Sequence, residues 1–281
     1  MLLFIIAASG ICIIFALQNP NTMKRLFFCF FLFAMLVSAA SAQRHQTVER
    51  YAAHERGIMH VSCVAGQTGR PVVVWFHSGG LTGGKAAVPD ELKGTDYVVV
   101  APAYRLLPSV PVDSCIDDAA AAVAWTFRNI DRFGGDPSRI IVSGHSAGGY
   151  LASMIGFDKS WLKNYGIDAD SIAALVPFSG QAITHYAWRT MQGTPELQPT
   201  VDRYAPLYHV RPDAPPYVIV CGDRELELFG RYEENAYLYR MLLLTGHPDV
   251  SIYELDGYDH GAMASPAFHI LKKTVARLWK D

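Results

Sequence analysis

The chain has 281 residues, of which 51% are hydrophobic, and its 24 basic and 26 acidic side chains give a net charge of −2. This balance provides no basic surface for a phosphate backbone, so nucleic acid is not expected as a partner. The length that remains after an apolar N-terminal region suits one α/β domain with a full hydrophobic core.

Two apolar runs open the chain. The first occupies residues 1–17, and the second begins after Lys24 and Arg25 and ends in the small residues 40–42. A basic start, an apolar stretch and small residues at a cleavage point are typical of a secretory signal peptide. The second run therefore indicates an export signal that is cleaved before Gln43.

We expect residues 1–22 to be an upstream extension, residues 23–42 to be a signal peptide, and residues 43–281 to form a single domain. The protein would then be secreted or periplasmic, with no stable membrane partner. A membrane anchor in residues 1–17 is the alternative, although this run is slightly short for a span.

Three cysteines remain after the apolar region, Cys63, Cys115 and Cys221. None has the spacing of a metal-binding motif such as Cys-x-x-Cys, and no metal site is expected. Export permits one disulfide, and buried free thiols are an equal alternative.

Apolar runs of strand length alternate with segments of helical spacing along the domain. The predicted strands cover residues 70–76, 96–101, 140–143, 171–177, 217–221 and 250–255, after a weak hairpin of 49–54 with 59–64. The predicted helices cover residues 113–129, 230–246 and 266–279, and a further one directly follows Ser146. Such alternation predicts an α/β fold, a mostly parallel sheet with helices on both faces.

The segment 181–215 differs from its surroundings, because it is rich in proline, aromatic and histidine residues and has no long periodic element. A long irregular insertion inside a compact domain is usually a functional loop or lid. We expect a small cap over the functional site, with His185 and Trp188 as candidate substrate contacts. Packing of these side chains on the core is an equal alternative.

The most informative stretch is Gly144-His145-Ser146-Ala147-Gly148, which lies between an apolar strand and a small-residue helix. Gly-x-Ser-x-Gly in this context is typical of a nucleophile elbow, in which the flanking glycines leave room for a tight turn. The Ala147 N–H would then point toward the reacting centre at a helix N-terminus. A glycine-rich turn with an ordinary serine is the alternative.

A serine hydroxyl needs a base within hydrogen-bond reach, and that base needs an orienting carboxylate. His260 is the preferred base, because it lies in a glycine-flanked loop after the last strand. Three carboxylates, Asp223, Glu225 and Glu227, follow the preceding strand and compete for the role of the acid.

The motifs HSGG, YRL, GGDPSRI, GHSAGG and DGYDHG, in that order, resemble the α/β-hydrolase superfamily from about residue 71 to the C-terminus. They are most similar to its carboxylesterase branch, around hormone-sensitive-lipase-like and feruloyl or acetylxylan esterase-like enzymes. The order serine, carboxylate, histidine is also that of the superfamily. The resemblance implies the α/β-hydrolase fold with a small cap, and a serine esterase that works through an acyl-enzyme without a cofactor or metal.

The resemblance also assigns an oxyanion loop. The glycine-rich loop after the strand 70–76 is similar to the HGGG loop of lipases and esterases. By this resemblance the N–H groups of Gly79 and Gly80 act together with that of Ala147. Ser78 departs from the family, which usually has glycine at this position, and this puts the local backbone conformation in question.

In related hydrolases the acid commonly lies three residues after the glycine that ends its strand. Counting from Gly222, this resemblance favours Glu225 as the third member of the triad. Asp223 is the first alternative, and Glu227 is the second. Tyr258, two residues before the base, is a further candidate substrate contact.

Export and the family together favour short-chain acetyl esters or feruloyl esters of extracellular carbohydrate as substrates. A prolyl-oligopeptidase-like serine peptidase is an alternative, although the chain has no room for the propeller that such enzymes usually carry. An arylformamidase is another, although its usual cytosolic setting disagrees with the leader. A non-catalytic binding protein on a hydrolase fold is the alternative of a different class.

Overall fold

The computed structural model describes residues 3–8, 11–16 and 44–279. The chain divides into two units, Met1–Gln43 and Arg44–Asp281.

In the first unit, strand β1 (Leu3–Ala8) pairs antiparallel with strand β2 (Ile11–Ala16). The upstream extension of residues 1–22 is thus described only in part, and the expected signal peptide, residues 23–42, lies outside the described residues. Within the described ranges, no helix is both long and apolar enough to cross a membrane.

The strands of the second unit are β3 (Arg44–Arg50), β4 (Ile58–Val64), β5 (Arg70–Phe76), β6 (Val98–Pro102), β7 (Gly135–His145), β8 (Ala174–Phe178), β9 (Tyr217–Gly222) and β10 (Val250–Leu255). They form one sheet with the order β10-β9-β8-β7-β5-β6-β4-β3. The neighbours from β10 to β6 pair in parallel, whereas β4 pairs antiparallel with β6 and β3 antiparallel with β4.

Helices connect these strands. They are α1 (Asp90–Lys93), α2 (Val112–Asn129), α3 (Ala147–Phe157), α4 (Lys159–Lys163), α5 (Tyr186–Met191), α6 (Arg231–Leu244) and α7 (Ala264–Leu278). Short 3₁₀ helices lie at Ile130–Phe133, Ala169–Ser171 and Pro206–His209.

Alternate side chains of the central strands enter two separate hydrophobic cores. Along β5, Val72, Val74 and Phe76 lie in the core that includes α2 and α3, whereas Val73 and Trp75 lie in the core that includes α7. Because side chains alternate across a strand, a continuous apolar run requires cover on both faces. The predicted architecture, a mostly parallel sheet with helices on both faces, is confirmed.

Most predicted elements lie within a few residues of the observed ones, and β5 and β10 have the predicted bounds. The first strand of the predicted hairpin is wrong, because β3 covers residues 44–50 rather than 49–54. The reason is a turn that begins one residue after β3, where the Tyr51 N–H donates to the Gly57 carbonyl at 2.9 Å. The sequence does not predict α1 and α4, since helices of about one turn have no repeating apolar face.

The three cysteines of the described domain are free thiols, as the second of the two sequence alternatives expects. Cys115 lies on α2 and Cys221 on β9, and both side chains are buried. Burial raises the pKa of the Cys115 thiol to about 12, with a smaller contribution from the nearby Asp118 carboxylate. These thiols therefore stay protonated and act as small core residues.

The segment 181–215 connects β8 to β9 and contains α5. Side chains of α6 fix its beginning by hydrogen bonds to the backbone. The Arg231 guanidinium donates to the Ser179 carbonyl, the Asn235 amide donates to the Gly180 carbonyl at 2.8 Å, and the Ile183 N–H donates to the Glu234 carboxylate at 3.2 Å. The segment therefore leaves the sheet in a direction that α6 determines.

Candidate active site

Ser146 lies at the turn between β7 and α3 and has a φ of 56°, which is strained for a residue with a side chain. The turn is tight because the backbones of its neighbours touch. A Cβ on Gly144 would be 2.5 Å from the Gly148 carbonyl carbon and 2.7 Å from the Phe76 carbonyl oxygen. The Ser146 N–H donates to the Phe178 carbonyl at 2.8 Å, which ties the turn to β8. The sequence context of a nucleophile elbow thus has the matching geometry.

His260 lies in the loop between β10 and α7, and its Nε2 is 2.9 Å from the Ser146 Oγ. His145 supports this loop from β7, because its Nε2–H donates to the His260 carbonyl at 2.8 Å. The Asp259 carboxylate accepts the N–H groups of Gly261 and Ala262 at 2.9 and 2.8 Å, which closes a turn around the base. The structure therefore brings the two residues that the sequence pairs as nucleophile and base into hydrogen-bond contact.

Glu227 is the residue that follows Ser146 and His260 in this series of hydrogen bonds, so the expectation of Glu225 is wrong. The Glu227 Oε2 lies 2.8 Å from the His260 Nδ1, and the Glu227 side chain is 1% exposed. Glu225 is exposed and its N–H donates to the Asp223 carboxylate at 2.9 Å. The sequence could not separate these two carboxylates by type, since both are glutamate.

A helical turn after β9 explains the difference. The N–H groups of Leu226 and Glu227 donate to the Asp223 carbonyl at 3.0 and 2.9 Å, so the chain coils back on itself. This turn returns the Glu227 carboxylate to the end of β9, where it accepts the Gly222 N–H at 2.8 Å. Asp223 stabilises the loop, because its carboxylate also accepts the Gly257 N–H at 2.7 Å. The acid thus lies five residues after Gly222, and the offset of three fails because it ignores this turn.

The Glu227 carboxylate is ionised despite its burial. Burial alone would raise its pKa, but hydrogen bonds from His260, Ser179 and the Gly222 N–H outweigh burial and lower the pKa to about 2. The Ser179 hydroxyl donates to the Glu227 Oε1 at 2.6 Å. A permanent negative charge therefore faces the ring of His260 at neutral pH.

The glycine-rich loop after β5 begins beside the elbow, because Phe76 is the register partner of Gly144. Gly79 and Gly80 have φ angles of 121° and 61°, which glycine adopts without strain. Among the described residues, the N–H groups of Gly79, Gly80 and Ala147 have no protein acceptor. The Ser78 φ is not positive, so a serine fits this position of the loop.

Two of the three predicted substrate contacts are not at an open surface. His185 is 1% exposed and acts as the N-cap of α5, where its Nδ1 accepts the Ala187 N–H at 3.3 Å. Trp188 packs edge-on against Tyr204 with ring centroids 5.8 Å apart. His185 follows the packing alternative, Trp188 is half-buried against Tyr204, and Tyr258, which is 43% exposed, is the most open of the three.

Tyr186, between those two residues, is the aromatic side chain that reaches the glycine-rich loop. A Cβ on Gly80 would clash with the Tyr186 hydroxyl, so this hydroxyl lies directly against Gly80. The Tyr186 ring lies 5.8 Å from the ring of Phe229, which is 47% exposed and comes two residues after Glu227. The sequence places Tyr186 in the aromatic segment 181–215 but does not distinguish it from its neighbours. Only the geometry of helix α5 shows that Tyr186 is the residue that reaches Gly80.

Several histidines around the site are buried and neutral. Burial lowers the pKa of His77 and of His145 to about 4, and the nearby Arg56 and His260, respectively, act in the same direction. Burial, with Arg231 and Arg189 nearby, also lowers the pKa of His185 well below its usual value. These residues hydrogen-bond as neutral rings and carry no charge at neutral pH.

Comparison with known proteins agrees with the fold described above. The family described as alpha/beta hydrolase fold matches residues 73–159, which include the glycine-rich loop and the elbow. Thermogutta terrifontis esterase 2 superposes with a TM-score of 0.69 when phosphonylated by sarin, at 19% identity over 83% of this chain and 95% of that one. Its butyrate-bound structure gives a TM-score of 0.67 at 19% identity, over 83% and 94% of the two chains. At this identity the likeness shows the fold.

The chain thus has the α/β-hydrolase fold, and residues 73–159 match the family of that description. Its relatives include the esterase LipC of Mycobacterium tuberculosis, 28% identical over 68% of this chain and 51% of LipC. They also include the carboxylesterase NlhH of the same organism, 41% identical over 30% of this chain and 28% of NlhH. The chain thus spans about half or less of the length of these curated relatives.

The contact of Glu227 with His260 predicts which carboxylate supports Ser146. Glu227→Gln should lower the rate of Ser146 labelling by a fluorophosphonate by about 10³-fold or more, because the base loses its orienting charge. Glu225→Gln, the matched change two residues away on the exposed side, should leave the rate within about twofold of the wild type, as expected for a surface substitution. Equal losses in the two variants would contradict the assignment of Glu227.

The contact of Tyr186 with Gly80 predicts a steric effect that a second substitution relieves. Gly80→Ala should slow fluorophosphonate labelling about 10²-fold, because the new Cβ displaces a backbone donor. Adding Tyr186→Phe should recover part of this loss, since the Tyr186 Cζ would be 3.4 Å from the new Cβ once the hydroxyl is gone. Gly69→Ala is the control, because Gly69 has a φ of 64° with nothing within 4 Å of its Cβ position. A Gly80→Ala protein as reactive as Gly69→Ala would refute this geometry.

The neutral histidines predict a loss of stability in mild acid. The unfolded chain takes up a proton on each histidine near pH 6.5, whereas the folded chain does so only near pH 4 for His77 and His145, so the free energy of unfolding should fall between these values. His185→Asn keeps an N-cap acceptor and removes one such group, so the slope should decrease by up to about 1.4 kcal/mol per pH unit. Urea unfolding from pH 7 to pH 4 measures this, with the exposed His269→Gln as the control. An unchanged slope in His185→Asn would show that His185 is not held neutral.

Proposed function

We propose that the chain is a serine carboxylic-ester hydrolase that works through an acyl-enzyme. The observation that carries this proposal is the continuous hydrogen-bond chain from the Ser146 Oγ to His260 at 2.9 Å and from His260 to Glu227 at 2.8 Å. The esterase LipC and the carboxylesterase NlhH among its relatives support the same class of reaction.

The geometry assigns a direction to the proton. The His260 Nδ1–H donates to the ionised Glu227, which leaves a lone pair on Nε2 toward Ser146. As Ser146 attacks an ester carbonyl, Nε2 takes the hydroxyl proton, and the Glu227 carboxylate stabilises the imidazolium that forms. The same proton then passes from Nε2 to the departing alcohol, and water repeats the sequence to release the acid.

The tetrahedral intermediate carries a negative oxygen that needs donors. We assign this role to the N–H groups of Gly79, Gly80 and Ala147, which have no protein acceptor among the described residues. Removal of one such donor costs about 3–4 kcal/mol of transition-state stabilisation in a well-studied protease. The Ala147 N–H also lies at the N-terminus of α3, where the helix dipole favours negative charge.

For the substrate we propose short-chain acyl esters, such as acetyl, or feruloyl esters of extracellular carbohydrate. Tyr186 beside Gly80 supports an aromatic or small acyl group, because its ring and that of Phe229 border the glycine-rich loop. The butyrate bound to Thermogutta terrifontis esterase 2 is a short acid in a protein of the same fold. The signal-peptide pattern of residues 23–42 supports a secreted or periplasmic location.

Hydrolysis of a panel of p-nitrophenyl esters, from acetyl to octanoyl and including feruloyl, tests the proposal. The full chain should hydrolyse the short esters or the feruloyl ester at least tenfold faster than octanoyl, and Ser146→Ala should be inactive on all of them. Ser146→Ala is a fair control, because alanine and serine have the same backbone cost at positive φ.

The outcomes separate the class of reaction from the substrate. Activity that favours octanoyl would support the esterase and contradict the short-chain preference. No activity on any ester, together with no labelling of Ser146 by a fluorophosphonate, would contradict the enzyme. Labelling without ester hydrolysis would point to peptides or formamides as substrates.

A further inference from the structure

Ser179 is the residue that directly follows β8, and it is completely buried beside the triad. Its backbone is fixed on both sides. The N–H donates to the Val220 carbonyl of β9 at 2.7 Å, and the carbonyl accepts the guanidinium of Arg231 on α6. Its φ is 47°, in the left-handed region that glycine adopts most easily. A glycine would therefore fit this backbone with less strain, so the reason for a serine must be sought in the hydroxyl.

The Ser179 hydroxyl contacts both the acid and the base of the triad. Its Oγ lies 2.6 Å from the Glu227 Oε1 and 3.0 Å from the His260 Nδ1. An ionised carboxylate can only accept, so the hydroxyl proton points to Glu227 and the oxygen lone pairs face the His260 Nδ1–H. The hydroxyl thus interacts with both partners of the Glu227–His260 hydrogen bond.

The remaining hydrogen bonds of Glu227 show what the hydroxyl adds. Oε1 accepts from Ser179 and from the Gly222 N–H, while Oε2 accepts from His260 at 2.8 Å and from the Leu228 N–H at 3.2 Å. Each carboxylate oxygen therefore has two donors, and one side chain besides His260 contributes. Without the hydroxyl, Oε1 would have only the backbone donor, and the plane of the carboxylate would be less well defined.

We propose that Ser179 is a positioning residue of the triad, which acts through Glu227 and His260 rather than by touching the substrate. It holds the carboxylate plane so that Oε2 receives the Nδ1–H, and it faces the same N–H with its own lone pair, which fixes the tilt of the imidazole. The inference rests on the esterase function proposed above.

Removal of the hydroxyl should act on turnover more than on substrate binding. A hydrogen bond to a charged group contributes enough that its loss should lower kcat between about 10- and 100-fold. KM should stay within about twofold, because Ser179 does not touch the substrate. The acidic limb of the kcat/KM profile should move to higher pH, because the lost donor at 2.6 Å from Glu227 leaves a carboxylate that attracts the imidazolium more strongly. The lost lone pair, at 3.0 Å from Nδ1, acts in the opposite direction through a longer contact and should reduce this shift without reversing it.

The shift of the acidic limb can be attributed to the Ser179 hydroxyl only if the other ionisable groups around the Glu227–His260 pair stay the same. They are Cys221 on β9, His145 on β7, and Arg231 with its buried ion-pair partner Glu234 on α6. None of them is altered in the test. The shift therefore reports on the hydroxyl and on the pair that it contacts.

The test compares Ser179→Ala and Ser179→Gly with Ser153→Ala in the full chain. Alanine keeps the backbone cost at positive φ and removes the hydroxyl, whereas glycine removes both. Ser153 is a matched control, because it is also buried, and its hydroxyl contacts the Gly149 carbonyl and the Tyr217 hydroxyl, each at 2.8 Å. The measurements are kcat, KM, the pH profile of p-nitrophenyl acetate hydrolysis, and the thermal unfolding midpoint.

Both Ser179 variants should lose kcat to a similar extent and shift the acidic limb, while Ser153→Ala should keep the wild-type pH profile even where it lowers the unfolding midpoint. Wild-type kcat in both Ser179 variants, or recovery in Ser179→Gly alone, would overturn the proposal, the latter because backbone strain would then explain the loss. If Ser179→Ala does not fold, Ser179→Gly decides by itself, and a wild-type kcat in that variant would overturn the proposal. Failure of the proposed function is distinct, because the wild-type chain would then hydrolyse no ester.

Discussion

A carboxylate buried in a protein must be surrounded by donors, and Glu227 receives them from the ends of three neighbouring strands. Ser179 follows β8, Gly222 ends β9, and His260 follows β10. In a parallel sheet these carboxyl ends lie at one edge, so a single short side chain can connect them. The position of the His260 ring against Ser146 thus depends on the Glu227 carboxylate. The order of the strands in turn determines most of the donors around that carboxylate.

Backbone strain is concentrated at the same edge of the sheet. The non-glycine residues with positive φ in the described domain are Leu81, Ser146, Ser179 and Phe229. They lie in the glycine-rich loop, at the elbow, beside Glu227 and in the loop that carries it. Strained conformations persist only where the surrounding structure determines them, and here the N–H groups of Ser146 and Ser179 are bonded to β8 and β9 respectively. The rigid sheet below therefore maintains a set of conformations that isolated loops would not adopt.

The sequence predicts the sheet well because its central strands are continuous apolar runs, and it predicts Ser146 and His260 because their glycine-rich surroundings are distinctive. It does not choose correctly between Glu225 and Glu227, since the choice depends on a helical turn held by the Asp223 carbonyl. It also does not find Ser179, because one serine after a strand has no local pattern. Residues whose role arises from contacts across strands are visible only once the strands are in register.

The loop after β9 carries one buried side chain among exposed apolar ones, and this affects which of its residues can be substituted. Its inward residue, Glu227, is buried against His260, whereas Leu226, Leu228 and Phe229 are between 39% and 50% exposed. Because inward and outward side chains alternate within a few residues, the outer surface can vary while the contact between Glu227 and His260 stays constant. Selection, in nature or in the laboratory, could therefore diversify the apolar rim of the site without passing through inactive intermediates.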